Sequence, residues 1–206
     1  APFGMAFCDN GVMELSFTPG SEYTHTKWMF LIPIKLTPQM AFWIEDTDGN
    51  LLEIVYLTQK TSDNTWIGTS ETREEALPVF SHKGLRNKRQ NEGPDAVSSA
   101  TPKESEKGQH TFTIGSLKEG KRYTVYCEVN ASFDYNETFT TNNSGVNGQP
   151  SVIYRADFIY SSYKSEKQLV PIGRGSVDGS DGIIRKSLSG ITDALHIFDS
   201  ITICFR

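Results

Sequence analysis

The sequence lacks the segments that would place it across a membrane or on a nucleic acid. No apolar run approaches the roughly 20 residues that a membrane-spanning helix needs. The net charge is −5, so neither nucleic acid nor an anionic membrane is an expected partner. Repeats, heptads and low-complexity tails are also absent from the sequence. The remaining class is a globular protein, and 206 residues are enough to bury a core in one domain, residues 1–206.

Signatures of catalysis and metal binding are missing as well. The sequence contains no G-x-S-x-G, H-x-H or H-E-x-x-H, and its cysteines carry no catalytic pattern. We therefore predict no catalytic residue, and a protein without enzymatic activity is favoured over a hydrolase. A β-sandwich can gather distant histidines at one end, which makes His82 and His110 the best metal candidates. Two ordinary histidines, one in a loop and one at a strand edge, are the favoured interpretation, so we predict no metal.

Cysteine is scarce and carries no C-x-x-C spacing. Cys8, Cys127 and Cys204 are compatible with one disulfide plus a free thiol, or with three buried thiols. Cys127 lies in a strand-like run, which favours a buried small hydrophobic role for it.

Alternating hydrophobicity and turn residues predict strands along most of the chain. Residues 12–18 alternate with a period of two, and the apolar run 27–36 predicts a strand that is buried on both faces or crosses the core, with Pro33 marking a bulge or an edge. The runs 41–45 and 51–58 flank Asp48-Gly49, a strong hairpin signal. Asp46, Asp48 and Asn50 also match the start of a calcium loop, but the later Gly and Glu are missing, so turn chemistry is favoured.

The spacing around Tyr123 resembles the turn into a late strand of fibronectin type III and immunoglobulin-like domains. In those domains a tyrosine at this corner bonds back to the backbone, which implies a structural Tyr123. We predict an all-β fold: an antiparallel, immunoglobulin-like β-sandwich with a long irregular insertion at 72–108.

The insertion is the one long segment that alternating strands and turns do not explain. Residues 72–76 predict a short helix that Thr72 caps and Leu77-Pro78 ends, followed by a small apolar core at 77–80. Its basic residues predict a partner surface formed by Lys83, Arg86, Lys88 and Arg89.

A short motif in the insertion resembles the site at which flavin transferases attach FMN to a threonine. By this resemblance Thr101 is the acceptor and Asp95 the upstream recognition residue, and Ser98 also fits. Ser99 stands where Gly is usual, and the loss of Gly opposes close approach of the backbone to a phosphate. Otherwise no cofactor is predicted.

The chain also resembles a family of predicted periplasmic bacterial proteins without an established activity. Their genes often lie near flavin-linked electron-transfer genes, so the resemblance implies compartment and context rather than mechanism. In that family the sequence A-T-P is usual, which implies a structural turn at Thr101 as much as a flavin site. The residues that carry the resemblance are 43–46, 75–82, 95–102, 128–130 and 148–151.

Together these observations predict an exported, non-catalytic accessory or binding protein of the bacterial envelope, linked to a redox system. Its location is extracytoplasmic, in the periplasm or at the cell surface, and the start at Ala1 without Met suggests a trimmed or mature chain. Its partner is an envelope protein or a small ligand. Asn130, Asp134 and Tyr135, in a polar and aromatic loop past a strand, form a second predicted contact region. The alternative is an extracytoplasmic electron carrier with FMN covalently attached at Thr101.

Overall fold

The computed structural model describes residues 12–29, 31–58, 74–84, 97–99, 108–113, 117–161 and 163–205. Twelve strands account for most of these residues. The strands are β1 Val12–Pro19, β2 His25–Met29, β3 Ile32–Leu36, β4 Gln39–Glu45, β5 Leu51–Thr58, β6 Val97–Ser99, β7 Gly108–Thr113, β8 Arg122–Asn130, β9 Val152–Ile159, β10 Ser165–Gln168, β11 Val170–Arg174 and β12 Phe198–Phe205. One α-helix, α1, spans Pro78–His82, and two 3₁₀ turns span Glu74–Ala76 and Asp193–His196.

Two sheets form a β-sandwich, as the sequence predicts. The smaller sheet has the order β10-β12-β1-β7, and the larger has the order β11-β9-β8-β4-β5-β6. All pairs within them are antiparallel except β5 with β6. A single apolar cluster fills the space between the sheets, where Phe17 of β1 stacks on Phe42 of β4. The immunoglobulin-like type of the sandwich stays a prediction.

β4 is buried on both faces because its alternate residues serve two cores. Met40, Phe42 and Ile44 point into the cluster between the sheets, whereas Ala41 and Trp43 pack with α1 on the outer face of the larger sheet. A strand segment covered on both sides has no need of polar positions, which explains the continuous apolar run 40–44 within β4.

The prediction of one doubly buried strand over 27–36 is wrong. That segment forms the separate hairpin of β2 and β3, whose register pairs Trp28 with Pro33. Leu31, between the two strands, is 90% exposed. Pro33 is accommodated because each strand of a two-stranded sheet has an outer edge that needs no ladder hydrogen bond.

Local turn chemistry follows the sequence closely. The Asp46 carboxylate accepts hydrogen bonds from the backbone N–H groups of Asp48 and Asn50, at 2.9 and 2.8 Å, which is the turn chemistry that the sequence predicts. The Tyr123 hydroxyl accepts a bond from the Lys118 backbone N–H at 2.9 Å, so Tyr123 is structural as predicted.

The insertion contains regular structure that the sequence interpretation missed. Pro78 begins α1 rather than ending a helix, because proline fits the first helical position, where the backbone N–H would have no partner. The apolar core predicted there is confirmed, since residues 77–80 are buried. Thr72, the predicted cap, lies outside the described residues.

Cys204 is disulfide-bonded, and Cys127 is a buried free thiol, whereas Cys8 lies outside the described residues. Among the described segments, no helix has the length and apolar character to cross a bilayer.

Candidate ligand pocket

A small cavity lies where the loop after β8 meets the start of β2 and the 3₁₀ turn before β12. Its volume is about 160 Å³. We call it the acidic–aromatic pocket, after the residues that line it: Glu22, His25, Ala131, Phe133, Asp134, Tyr135, Asp193 and Ile197.

Gln149 holds the pocket loop in place. Its backbone N–H donates to Asp134 Oδ1 at 2.8 Å, and its side-chain amide donates to the Asp134 carbonyl at 2.9 Å. Its Oε1 accepts the Thr192 backbone N–H at 2.6 Å, next to the 3₁₀ turn. Gly148 is required beside it, because a Cβ there would lie 2.5 Å from Asp134 Oδ1 and its φ is +77°. Gln149 thus fixes two of the three segments that line the pocket, the loop after β8 and the 3₁₀ turn.

The aromatic wall consists of Phe133 and Tyr135, with ring centroids 6.4 Å apart. Phe133 has a φ of 68°, a conformation that is costly for a bulky residue. Two hydrogen bonds maintain it: the Phe133 N–H donates to the Val146 carbonyl at 2.9 Å, and the Tyr135 hydroxyl donates to the Gly145 carbonyl at 2.7 Å. The Lys27 ammonium lies 3.5 Å from the Phe133 centroid and 5.5 Å from that of Tyr135.

The acidic wall consists of Glu22, His25, Asp134 and Asp193. It contains buried polar atoms that form no hydrogen bond with the described part of the fold. Asp134 Oδ2 and His25 Nε2 are buried and have no hydrogen-bond partner within the described part of the chain. The pKa of Asp134 is raised to about 8, chiefly by burial and also by the charges of Asp193 and Glu22, against the bond from Gln149. Burial also lowers the pKa of Lys27. The pocket therefore holds a carboxyl whose ionisation is disfavoured until a positive charge is placed beside it.

A second buried carboxyl, Glu128, joins segments that carry the family resemblance. It accepts bonds from the Val79 and Phe80 backbone N–H groups at 3.2 and 2.7 Å, and from the Ser151 hydroxyl at 2.6 Å. Burial raises its pKa to about 7, although these hydrogen bonds act in the opposite direction. The carboxyl fixes α1 to β8, which is a structural role.

The predicted basic partner surface is described only at Lys83. Lys83 forms an ion pair with Glu45, whose Oε1 also accepts the Trp43 indole N–H at 2.8 Å. Lys83 is thus held against the outer core of the larger sheet. Arg86, Lys88 and Arg89 lie outside the described residues.

The predicted flavin site is also mostly outside the described residues. Asp95 and Thr101 lie there, and the backbone of Ser98 pairs with Leu57 in the parallel β5–β6 pair.

The structure places the two metal candidates in different parts of the sandwich. His82 lies in α1, and its Nε2 is 2.6 Å from the carbonyl oxygen of Gly179. His110 lies in β7 of the smaller sheet, where it pairs with Leu15 of β1. No three His, Cys, Asp or Glu side chains of the described segments are placed to share a metal ion.

Sequence reasoning found part of the pocket and missed the rest. It singled out Asp134 and Tyr135, which line the pocket, and Asn130, whose buried amide supports it by donating to the Gln149 carbonyl at 2.9 Å. It missed the wall from Glu22 and His25 and the contribution of Asp193. Those residues come from distant segments without a shared motif, so only the tertiary fold brings them together.

No protein-family model, curated protein or solved structure matches the chain. The resemblance to periplasmic proteins accordingly stays a prediction.

Proposed function

We propose that this chain is an exported, non-catalytic binding protein of the bacterial envelope, and that the acidic–aromatic pocket is its ligand site. The proposal includes an accessory role in an envelope redox system, which rests on the family resemblance alone.

The observation that carries the proposal is the pair of buried polar atoms in the pocket wall. Folded proteins satisfy nearly all buried polar atoms, so Asp134 Oδ2 and His25 Nε2 call for a specific explanation. Both residues line one cavity, beside an aromatic pair of which Phe133 has a costly backbone conformation. Concave sites that combine apolar walls with a few convergent polar groups are typical of small-ligand binding.

The disulfide at Cys204 supports export. Disulfides persist in oxidising compartments such as the periplasm and are rare in the cytosol. The scattered histidines and the absence of a nucleophile motif favour binding over catalysis.

Ligand-observed NMR with a fragment set balanced in cations, anions and neutral molecules tests the proposal. We expect at least one fragment to bind the wild-type protein and to lose binding in Asp134→Asn, which removes the ionisable carboxyl at nearly constant volume. Asp157→Asn is the matched control, because Asp157 pairs with Arg155 on the larger sheet, away from the pocket lining. Absence of any binding fragment, or equal losses in both variants, would refute the proposal.

A further inference from the structure

We infer that the ligand of the acidic–aromatic pocket is a small organic ammonium ion, and that the Lys27 ammonium group is its internal substitute. The inference rests on the proposed function and adds the chemical class of the ligand.

The aromatic wall is already used as a cation site. The Lys27 nitrogen lies within the range of about 6 Å over which a cation is attracted to a ring face, for both Phe133 and Tyr135. Lys27 forms no ion pair with any described residue, and its ammonium group contacts the two rings. A flexible lysine is a replaceable occupant of such a site, because its side chain can return to solvent at little cost.

The acidic wall supplies carboxyl groups that can balance the charge of a bound cation. Glu22, Asp134 and Asp193 all line the cavity, and repulsion from Glu22 and Asp193 disfavours ionisation of Asp134. The other titratable side chains at the pocket are His25 and Tyr135, which line it, and Lys27, whose ammonium group lies over the two rings. An ammonium ion between the rings and the carboxylates would relieve this repulsion, whereas an anion would increase it.

The strained loop indicates that the rings are positioned before a ligand arrives. Phe133 is held at a φ of 68° by the bond to Val146, and Tyr135 is held by its hydroxyl bond to Gly145. Rings fixed in advance lose little conformational entropy on binding, which favours recognition of a small ligand that offers few contacts.

Titration calorimetry with choline, methylammonium and dimethylbutanol tests the inference. Dimethylbutanol has the shape of choline with carbon in place of the charged nitrogen, so it is the neutral control. We expect choline or methylammonium to bind, and the bound cation to exceed dimethylbutanol in affinity by about 10-fold or more. Phe133→Leu should weaken cation binding severalfold, since it keeps an apolar side chain at the same backbone conformation without a ring.

Lys27→Met is the most discriminating variant, because stronger cation binding is not expected from the loss of a purely structural lysine. Removing the internal competitor should strengthen cation binding severalfold. Weaker cation binding by Lys27→Met, or failure of both cations to exceed dimethylbutanol in affinity, would overturn the inference.

The two proposals fail in different ways. Binding of an anionic or neutral fragment that depends on Asp134, without cation binding, would remove the ammonium inference and leave the proposed function. Failure of every fragment and of both cations would remove both.

Discussion

Replacing Glu128 by Gln tests how the larger sheet holds α1. The carboxylate accepts three hydrogen bonds, two of them from Val79 and Phe80 at the start of the helix, where backbone N–H groups have no partner within the helix. Glutamine has one acceptor oxygen, so its NH₂ group must face one of these donors. The buried N–H left without an acceptor costs about 1–3 kcal/mol.

The pKa of Glu128 also predicts how the free energy of unfolding changes with pH. Because burial raises the pKa of Glu128 from its ordinary 4.5 to about 7, the folded protein keeps a proton that the unfolded chain loses between these values. The free energy of unfolding therefore falls as pH rises through this window. The contribution is fully present below pH 4.5 and lost above about pH 7. The difference between the two pKa values corresponds to a change of about 3 kcal/mol in the free energy of unfolding. Glu128→Gln lacks this change because an amide does not titrate.

Urea unfolding of both proteins across this pH range measures the effect. Trp43 is fully buried and stacks on Tyr126 at 5.3 Å, so loss of the outer core changes its contribution to the fluorescence of the three tryptophans. Other titrating groups, Asp134 included, cancel in the difference between the two profiles. We expect the free energy of unfolding of the wild type, taken relative to that of Glu128→Gln, to fall by about 3 kcal/mol as pH rises. Parallel profiles would show that hydrogen bonding balances desolvation, and a relative free energy that rises with pH would show that hydrogen bonding outweighs it; either result would refute the reasoning.

Three further predictions concern the fold and the flavin alternative. Tyr123→Phe removes the acceptor of the Lys118 N–H and should lower the free energy of unfolding by about 1 kcal/mol in urea. Tyr163→Phe, at a side chain that is 80% exposed, should change nothing, and equal effects would contradict the role of Tyr123. Reducing agent should lower the melting temperature, because a lost disulfide costs about 2–5 kcal/mol. Cys204→Ser should not respond, and a reductant-insensitive wild type would contradict this. FMN at Thr101 predicts an added mass of about 440 Da that Thr101→Ala abolishes, and an unmodified chain from a transferase-positive host would exclude it.

The parts of the fold that local chemistry determines could be predicted from the sequence. Alternation of period two marks β1, and an Asp carboxylate bonding backbone N–H groups two and four residues ahead marks the turn at Asp46. The corner hydroxyl bond of Tyr123 is also local, because donor and acceptor lie five residues apart.

The errors arose where hydrophobicity leaves the tertiary context undetermined. The apolar run 27–36 has no Gly or Asn to mark a turn, so a hairpin with Leu31 exposed between its strands resembles a buried strand in sequence. Pro78 is compatible with the end and with the start of a helix, and the buried Glu128 carboxyl that receives the helix N–H groups lies 48 residues from Phe80.

The pocket was only partly predictable for the same reason. Asp134 and Tyr135 share a loop whose composition marks it, whereas Glu22 and Asp193 reach the pocket from opposite ends of the chain. Their effect on one another, the raised pKa of Asp134, exists only after folding.

The most direct test of the account is the proton balance of cation binding. Calorimetry of choline binding near neutral pH, in two buffers with different ionisation enthalpies, counts the protons released. Because Asp134 has a pKa of about 8 before binding, a bound ammonium ion should ionise it and release a substantial fraction of one proton. The release should disappear in Asp134→Asn. A binding enthalpy that is identical in both buffers would contradict the central claim that a cation binds beside this carboxyl.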